Sequence, residues 1–232
     1  MNDRRIRLVS YNLHEFVGGN GQLAPERARE ALRDLAPDVI ALQEFRASCA
    51  GVSPLQSLGL WGRDLAMTAV AGFTLRRGRA RYGNALLTRL PVRDVKRHDL
   101  TVGRLEPRGA IEVSLAWRDR ELRVLATHLG LSWAERRIQI RQLARLIEDP
   151  LETPTVLMGD LNDWTPGAWQ TGPLLRRLPR YSRARTFPAH RPILALDRIA
   201  ASPGIRWIHS RAERGAPFPR LSDHLPLQAE IE

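Results

Sequence analysis

Residues able to hold a hard cation or move a proton recur where apolar runs end. Asn12 follows RLVSY, Glu44 follows VIALQ and His128 follows RVLAT. Asp160 and Asn162 follow TVLMG, Asp197 lies inside LALDRIA, and Asp223-His224 precede LPLQ. A lone carboxylate at the end of a buried strand is costly unless a cation or hydrogen bonds compensate it. One such acid reads as a cap or a turn residue, whereas the whole series in one chain points to a shared site. Oxygen donors without a Cys/His cluster select Mg2+, Mn2+ or Ca2+ over Zn2+. Such an ion beside an imidazole suits phosphate chemistry, because it neutralises charge on the phosphoryl oxygens and the leaving group. There Asp160 can orient and deprotonate a water, and a histidine can stabilise the pentacoordinate transition state. No GxxxxGK[ST] loop, GxSxG elbow or HExxH pair occurs, so the commonest rival hydrolase sites lack their signatures.

The elements that must position these groups are legible as alternating strands and helices. Residues 5–11, 39–43, 67–71, 84–89, 109–117, 121–127, 155–160, 194–202 and 225–231 read as strands. The pair 109–117 and 121–127 is joined by the tight turn Arg118-Asp119-Arg120. Residues 25–36 read as a helix, with Pro25 in the first turn and Ala28, Ala31, Leu32 and Leu35 on one face. A second helix, 132–148, can be capped by Ser132 and carries an apolar stripe of Ile138, Leu143, Leu146 and Ile147. The stretch 163–192, rich in Pro, Gly, Trp and Arg, reads as a long and partly irregular excursion. Many strands with few helices predict sheets packed face to face and covered by helices, within one α/β (α+β) domain spanning residues 1–232.

Taken in order, S-Y-N at 10–12, D-V-I-A-L-Q-E at 38–44, G-N-A-L-L at 83–87 and A-T-H-L at 126–129 form the first half of a pattern. G-D-L-N at 159–162, L-D-R-I at 196–199 and S-D-H-L-P at 222–226 complete it. This ordered set resembles the endonuclease/exonuclease/phosphatase family, the deoxyribonuclease I-like superfamily. The resemblance implies a four-layer sandwich, two central β-sheets flanked by α-helices, with the active site at one end. It also implies a phosphoesterase using Mg2+, with Mn2+ as a substitute. Glu44 then matches the principal metal ligand, Asn12 an asparagine beside it, and Asp223 a further acid near the metal. Asp160 matches the group that activates water, and Asn162 the one that steadies it. His224 matches the histidine on the scissile phosphate, Asp197 its orienting partner, and His128 a second histidine. Asn84 stands as a substrate contact or a turn residue, and Arg108 as a phosphate contact or an exposed arginine. Deoxyribonuclease I has an acid just after an arginine where this chain has Arg108-Gly109, which predicts a different orientation for His128.

The net charge of +11, from 36 basic and 25 acidic residues, favours a polyanionic partner such as nucleic acid or another phosphate-bearing substrate. Lys96 is the only lysine, so the same charge also fits an arginine-biased genome without selection for any partner. Trp164 and Trp169 can stack on bases, sit at a lipid headgroup or pack over the sheet. A nuclease acting on DNA is the leading reading. An esterase for a phospholipid or small phosphorylated metabolite, or an inactive phosphate-binding relative, are the alternatives. The single cysteine, Cys49, cannot form an internal disulfide. No signal-peptide stretch or membrane-length apolar run occurs, so a cytoplasmic location is expected.

Overall fold

Alternation of apolar side chains along the strands decides the layering. In a computed structural model describing residues 5–19, 21–47, 53–78, 80–147 and 152–232, with backbone alone at 166–168, two six-stranded sheets face each other. The first contains β1 (Ile6–Asn12), β2 (Val39–Ala47), β3 (Thr68–Arg77), β4 (Ala80–Thr88), β11 (Trp207–Ala212) and β12 (Leu227–Ile231). Its order is β11-β12-β1-β2-β4-β3. The second contains β5 (Val92–Asp99), β6 (Gly109–Trp117), β7 (Arg120–His128), β8 (Thr155–Asp160), β9 (Arg180–Tyr181) and β10 (Asp197–Ala201). Its order is β5-β6-β7-β8-β10-β9.

Inward-facing Ile6, Leu8, Val39, Ala41 and Leu86 meet Val113, Val124, Ala126, Val156, Met158 and Ile199 in one core between the sheets. The intervening residues point outward. Val9, Tyr11, Ile40 and Leu42 are covered by Ala28, Ala31 and Leu32 of α1 (Pro25–Asp34) and by Leu58, Trp61 and Leu65 of α2 (Pro54–Leu65). Leu125, Leu157 and Ala200 are covered by Ile140 and Leu143 of α3 (Trp133–Leu146) and by Leu174 and Leu175 of α4 (Gly172–Arg177). Four layers result, as the sequence pattern implies.

Several element limits differ from the sequence reading. The strand expected at 67–71 runs on to Arg77, and the one expected at 194–202 is shorter, Asp197–Ala201. The excursion 163–192 contains α4 and the short β9 rather than only irregular chain. The apolar stripe of α3 faces inward through Ile140 and Leu143, while Ile138 is exposed. Cys49 lies outside the described residues.

Each sheet holds one parallel pair connected through a helix, β1 with β2 and β7 with β8. Asn12, His128 and Asp160 are the last residues of β1, β7 and β8, so these strands deliver them to the same end of the sandwich. In register, Asp160 stands between His128 of β7 and Asp197, the first residue of β10. Close approach makes this possible. Gly159 has φ +150°, and a Cβ there would lie 1.9 Å from the Thr127 carbonyl oxygen. Gly159→Ala is therefore expected to destabilise the protein by about 3 kcal/mol or more in urea unfolding, whereas Gly204→Ala, which meets open space, shifts it by less than about 0.5 kcal/mol. Equal unfolding curves for the two variants would contradict this reading of the β7–β8 contact.

Candidate active site

Glu44 reaches the site through a distortion of its strand. The β2–β4 register slips between Leu42 and Phe45, and Glu44 itself has φ +53°. A bulge of this kind re-aims one side chain at some local strain. Asn162 likewise adopts φ +49°, a conformation asparagine tolerates better than most residues. Its backbone N–H then donates to Asp160 Oδ1 at 2.9 Å.

One amide joins the two sheets here. Asn12 Nδ2 donates to Glu44 Oε1 at 3.2 Å and to Asp160 Oδ2 at 3.0 Å, placing two acids against a single nitrogen. Burial holds the Glu44 carboxyl above its ordinary pKa; Asn12, Tyr82 and His14 oppose that shift, and the charge of Asp160 adds to it. Tyr82, which the sequence reading did not single out, hydrogen-bonds Glu44. Burial and that neighbouring carboxylate push its phenol far up, so it remains a donor.

The two histidines of the pattern converge on the same carboxylate in opposite charge states. His224 Nδ1 donates to Asp197 Oδ2 at 2.8 Å, and its Nε2 stands 3.7 Å from Asp160 Oδ2. Thr186 Oγ1 also donates to Asp197 Oδ2, and Phe187 lies against the imidazole at 4.9 Å between ring centres. Burial favours the neutral His224 ring, yet Asp197, Asp160 and Asp223 outweigh it and raise its pKa to about 10. His128 Nε2 lies 3.6 Å from Asp160 Oδ2 and 3.1 Å from Asn162 Nδ2, which donates to the Leu129 carbonyl. His128 Nδ1 meets Arg108 Nη1 at 3.0 Å. A guanidinium has no acceptor, so Nδ1 accepts from Arg108 and the proton of the neutral ring lies on Nε2, toward Asp160. The Asn162 amide, which donates to Leu129, is a neighbour of Nε2 and not its hydrogen-bond partner. Burial pushes the His128 pKa down to about 3; Asp160 opposes this, and Arg108 and His224 reinforce it.

Arg108 corrects one sequence expectation. It is buried, not exposed, with Nη2 paired to Glu106 at 3.2 Å. Arg108 thereby places a cation at Nδ1 of His128. Asn84 is also buried, and its Nδ2 donates across the sandwich to the Gly109 carbonyl at 3.1 Å. Asp223 is half-exposed at the rim, 3.7 Å from His14, while Ser222 Oγ ties that loop to the Asn12 carbonyl at 2.8 Å. Trp164 is half-exposed and contacts Phe187 edge-on at 5.4 Å. Ser222 opens the S-D-H-L-P motif, yet the sequence assigns no role to it or to Thr186 and Phe187; their contacts with Asn12, Asp197 and His224 mark them.

Asp160, Asp197 and His224 offer ligand atoms that all lie within 4.8 Å of one another, a buried acid/acid/imidazole group able to hold a metal ion. Its tightest contact, His224 to Asp197, is already a hydrogen bond.

The model of the Endonuclease/Exonuclease/phosphatase family matches residues 9–224. This chain belongs to that family. Its members are phosphoester hydrolases. The chain is 30% identical to the uncharacterized Escherichia coli protein YbhP over 97% of this chain and 96% of YbhP. Its fold is similar to that of D. rerio TDP2 complexed with single-strand DNA product, with a TM-score of 0.74 at 18% identity over 99% of this chain and 100% of that one. It is also similar to the mannosyl-6-phosphatase Bt3783 of Bacteroides thetaiotaomicron, with a TM-score of 0.72 at 16% identity over 98% and 99% of the two chains.

In metal-free protein, the side-chain nitrogen resonances should show His224 as an imidazolium at pH 8 that deprotonates near pH 10, and His128 neutral down to about pH 3. Arg108→Ala removes a repelling cation and should move the His128 titration upward. A His128 that titrates near its ordinary value in wild type would contradict the assigned geometry.

Proposed function

We propose that this family member hydrolyses phosphodiesters by attack of a water activated at Asp160, with Mg2+ or Mn2+ bound, and that DNA is its leading substrate. The observation that carries this reading is the convergence on Asp160. Its Oδ2 takes the Asn12 amide and faces both His224 and His128, while its Oδ1 takes the Asn162 N–H.

The residues fit a divalent ion. Glu44 and Asp160 share one amide donor, burial and Asp160 both disfavour the charge on Glu44, and the buried Asp197 Oδ1 has no partner. Glu44, with Asn12 beside it, is the best candidate to hold the ion, because the carboxylate of Asp197 already orients His224. Asp223 would approach from the rim. When bound, such an ion neutralises charge on the phosphoryl and leaving oxygens.

The chain's own groups then do the following. Asp160 hydrogen-bonds a water and accepts its proton as the water oxygen bonds to phosphorus. Asn162 fixes the carboxylate through Oδ1 and leaves Oδ2 for this task. His224, held charged by Asp197, donates through Nε2 to a phosphoryl oxygen as negative charge builds there. His128 keeps its neutral Nε2–H toward the same place. The leaving oxygen departs with its electron pair and takes a proton from solvent.

A nucleic-acid substrate is supported by the net charge of +11 and by the half-exposed Trp164 beside Phe187 and His224. A phospholipid or small phosphoester would use the same chemistry, and the exposed Leu131, Trp133 and Trp169 next to the His128 loop favour that second reading. A substrate panel of plasmid, single-stranded DNA, RNA, phospholipid vesicles and sugar phosphates separates them, with DNA binding expected to weaken steeply with salt. Among the described residues no helix is long and apolar enough to cross a membrane.

With bis-p-nitrophenyl phosphate and Mg2+, Glu44→Ala and His224→Ala are each expected to lower kcat by roughly two to four orders of magnitude. EDTA should abolish the wild-type rate. Hydrolysis that survives EDTA and both substitutions would place the reaction elsewhere.

A further inference from the structure

The chain leaving β7 at His128 and β8 at Asp160 next exposes large apolar side chains. Leu131 and Trp169 are 69% and 59% exposed. Trp133, also exposed, opens α3 with its ring 6.4 Å from that of Trp169. Ile138 is exposed on the second turn of the same helix. The core beneath α3 is closed by Ile140 and Leu143, and these exposed surfaces add nothing to it. A cluster of this kind marks a contact surface, unlike single exposed leucines.

Buried polar groups hold the patch in place. Arg136 donates through Nη1 to the carbonyls of Gly130 and Leu131, and through Nε to Gln170 Oε1 at 3.1 Å. Gln170, the neighbour of Trp169, donates in turn to the Trp133 carbonyl at 2.7 Å. Gln139 Oε1 accepts from the Gly130 N–H at 2.8 Å. All three side chains are buried. The backbone carrying Leu131, Trp133 and Trp169 is thus one cross-linked unit, which lowers the ordering cost of meeting a partner.

Cations border the patch. The Arg137 guanidinium lies over the Trp133 ring at 5.2 Å, and Arg141 is exposed one turn further along. Between Leu131 and Ile147 the one acid is Glu135, which is buried and accepts from Gln139. Apolar tips among arginines match a surface that is negative outside and hydrocarbon beneath. An anionic bilayer is such a surface: tryptophan rings settle at its interface and arginines reach its headgroup phosphates. Leu131 and Ile138 have no flat face to stack on a base, so nucleic acid matches the set less well.

We infer that this face is a membrane-docking surface, which seats the protein on anionic lipid with Leu131, Trp133 and Trp169 in the interface. The strands ending at His128 and Asp160 reach the same end of the sandwich, so docking turns the mouth of the site toward the bilayer. Docking goes beyond the catalytic reading and stands without it, since binding to a membrane needs no hydrolysis.

Cosedimentation of the full chain with vesicles in EDTA reads docking by itself. Binding to mixed phosphatidylcholine/phosphatidylglycerol vesicles is expected, with little to phosphatidylcholine alone. Leu131→Gln/Trp133→Ala, at exposed positions, should keep the wild-type Tm and weaken binding at least about tenfold. Arg137→Gln/Arg141→Gln should weaken it by a smaller factor that vanishes in high salt. Leu55→Gln, at a comparably exposed leucine of α2 on the other sheet, should bind as wild type. Lipid brominated on its acyl chains should quench wild-type tryptophan emission, and quench it less in Trp133→Phe/Trp169→Phe. No vesicle binding, or an equal loss in Leu55→Gln, overturns the docking surface. Binding without quenching reduces the attachment to charge and overturns it too. Single-stranded DNA that binds in place of vesicles, and binds more weakly to Leu131→Gln/Trp133→Ala, would make the face a nucleic-acid platform and refute the proposal. Absence of hydrolysis on every substrate counts against the catalytic reading alone.

Discussion

Negative charge buried where two sheets meet is the constraint around which this end of the molecule is built. Glu44, Asp160 and Asp197 come from three strands of two sheets. Each would be unfavourable there alone. Asp197 is matched by His224 and Thr186, and Asp160 by Asn12, Asn162 and the charge on His224. Glu44 is matched least well, and its raised pKa records that deficit. A divalent cation, as proposed, would resolve it, and the same cation would also lower the pKa of His224 by screening Asp160.

The two histidines show how one carboxylate can face two different states of the same side chain. His224 has an acid on its far nitrogen and stays charged; His128 has a guanidinium there and stays neutral. Distance to Asp160 is nearly the same for both, 3.7 and 3.6 Å. Burial opposes charge on both rings; Asp197 overcomes it at His224, whereas at His128 burial prevails and Arg108 reinforces it. This separates a charged imidazolium from a neutral ring on either side of one carboxylate.

Most of this site was legible because apolar runs ending in Asn, Glu, His or Asp mark strands that carry side chains to a common edge. The sandwich followed from the same runs. What escaped were elements whose sequence lacks such contrast. β5 exposes most of its charged residues and buries only parts of Val92, Val95 and His98 along an edge, and β11 likewise alternates without an apolar run. α2 carries a capping box, Ser53 with Gln56, but Gly59 and Gly62 interrupt its helical signal. Arg108 could not be placed from its neighbours, because its burial depends on His128, twenty residues away. Tyr82 is an ordinary strand residue until the fold sets it against Glu44.

The most direct test is thermal unfolding of the metal-free protein against added Mn2+ or Mg2+, for wild type and Glu44→Gln. Removing one of two repelling acids should make Glu44→Gln the more stable protein in EDTA. Binding to the folded state alone should raise the wild-type Tm with cation concentration, by about 2.7 kcal/mol of stability at a hundredfold excess over Kd. That rise should be largely absent in Glu44→Gln. A wild-type Tm indifferent to divalent cations, or one that rises equally in both proteins, would contradict a cation held between Glu44 and Asp160.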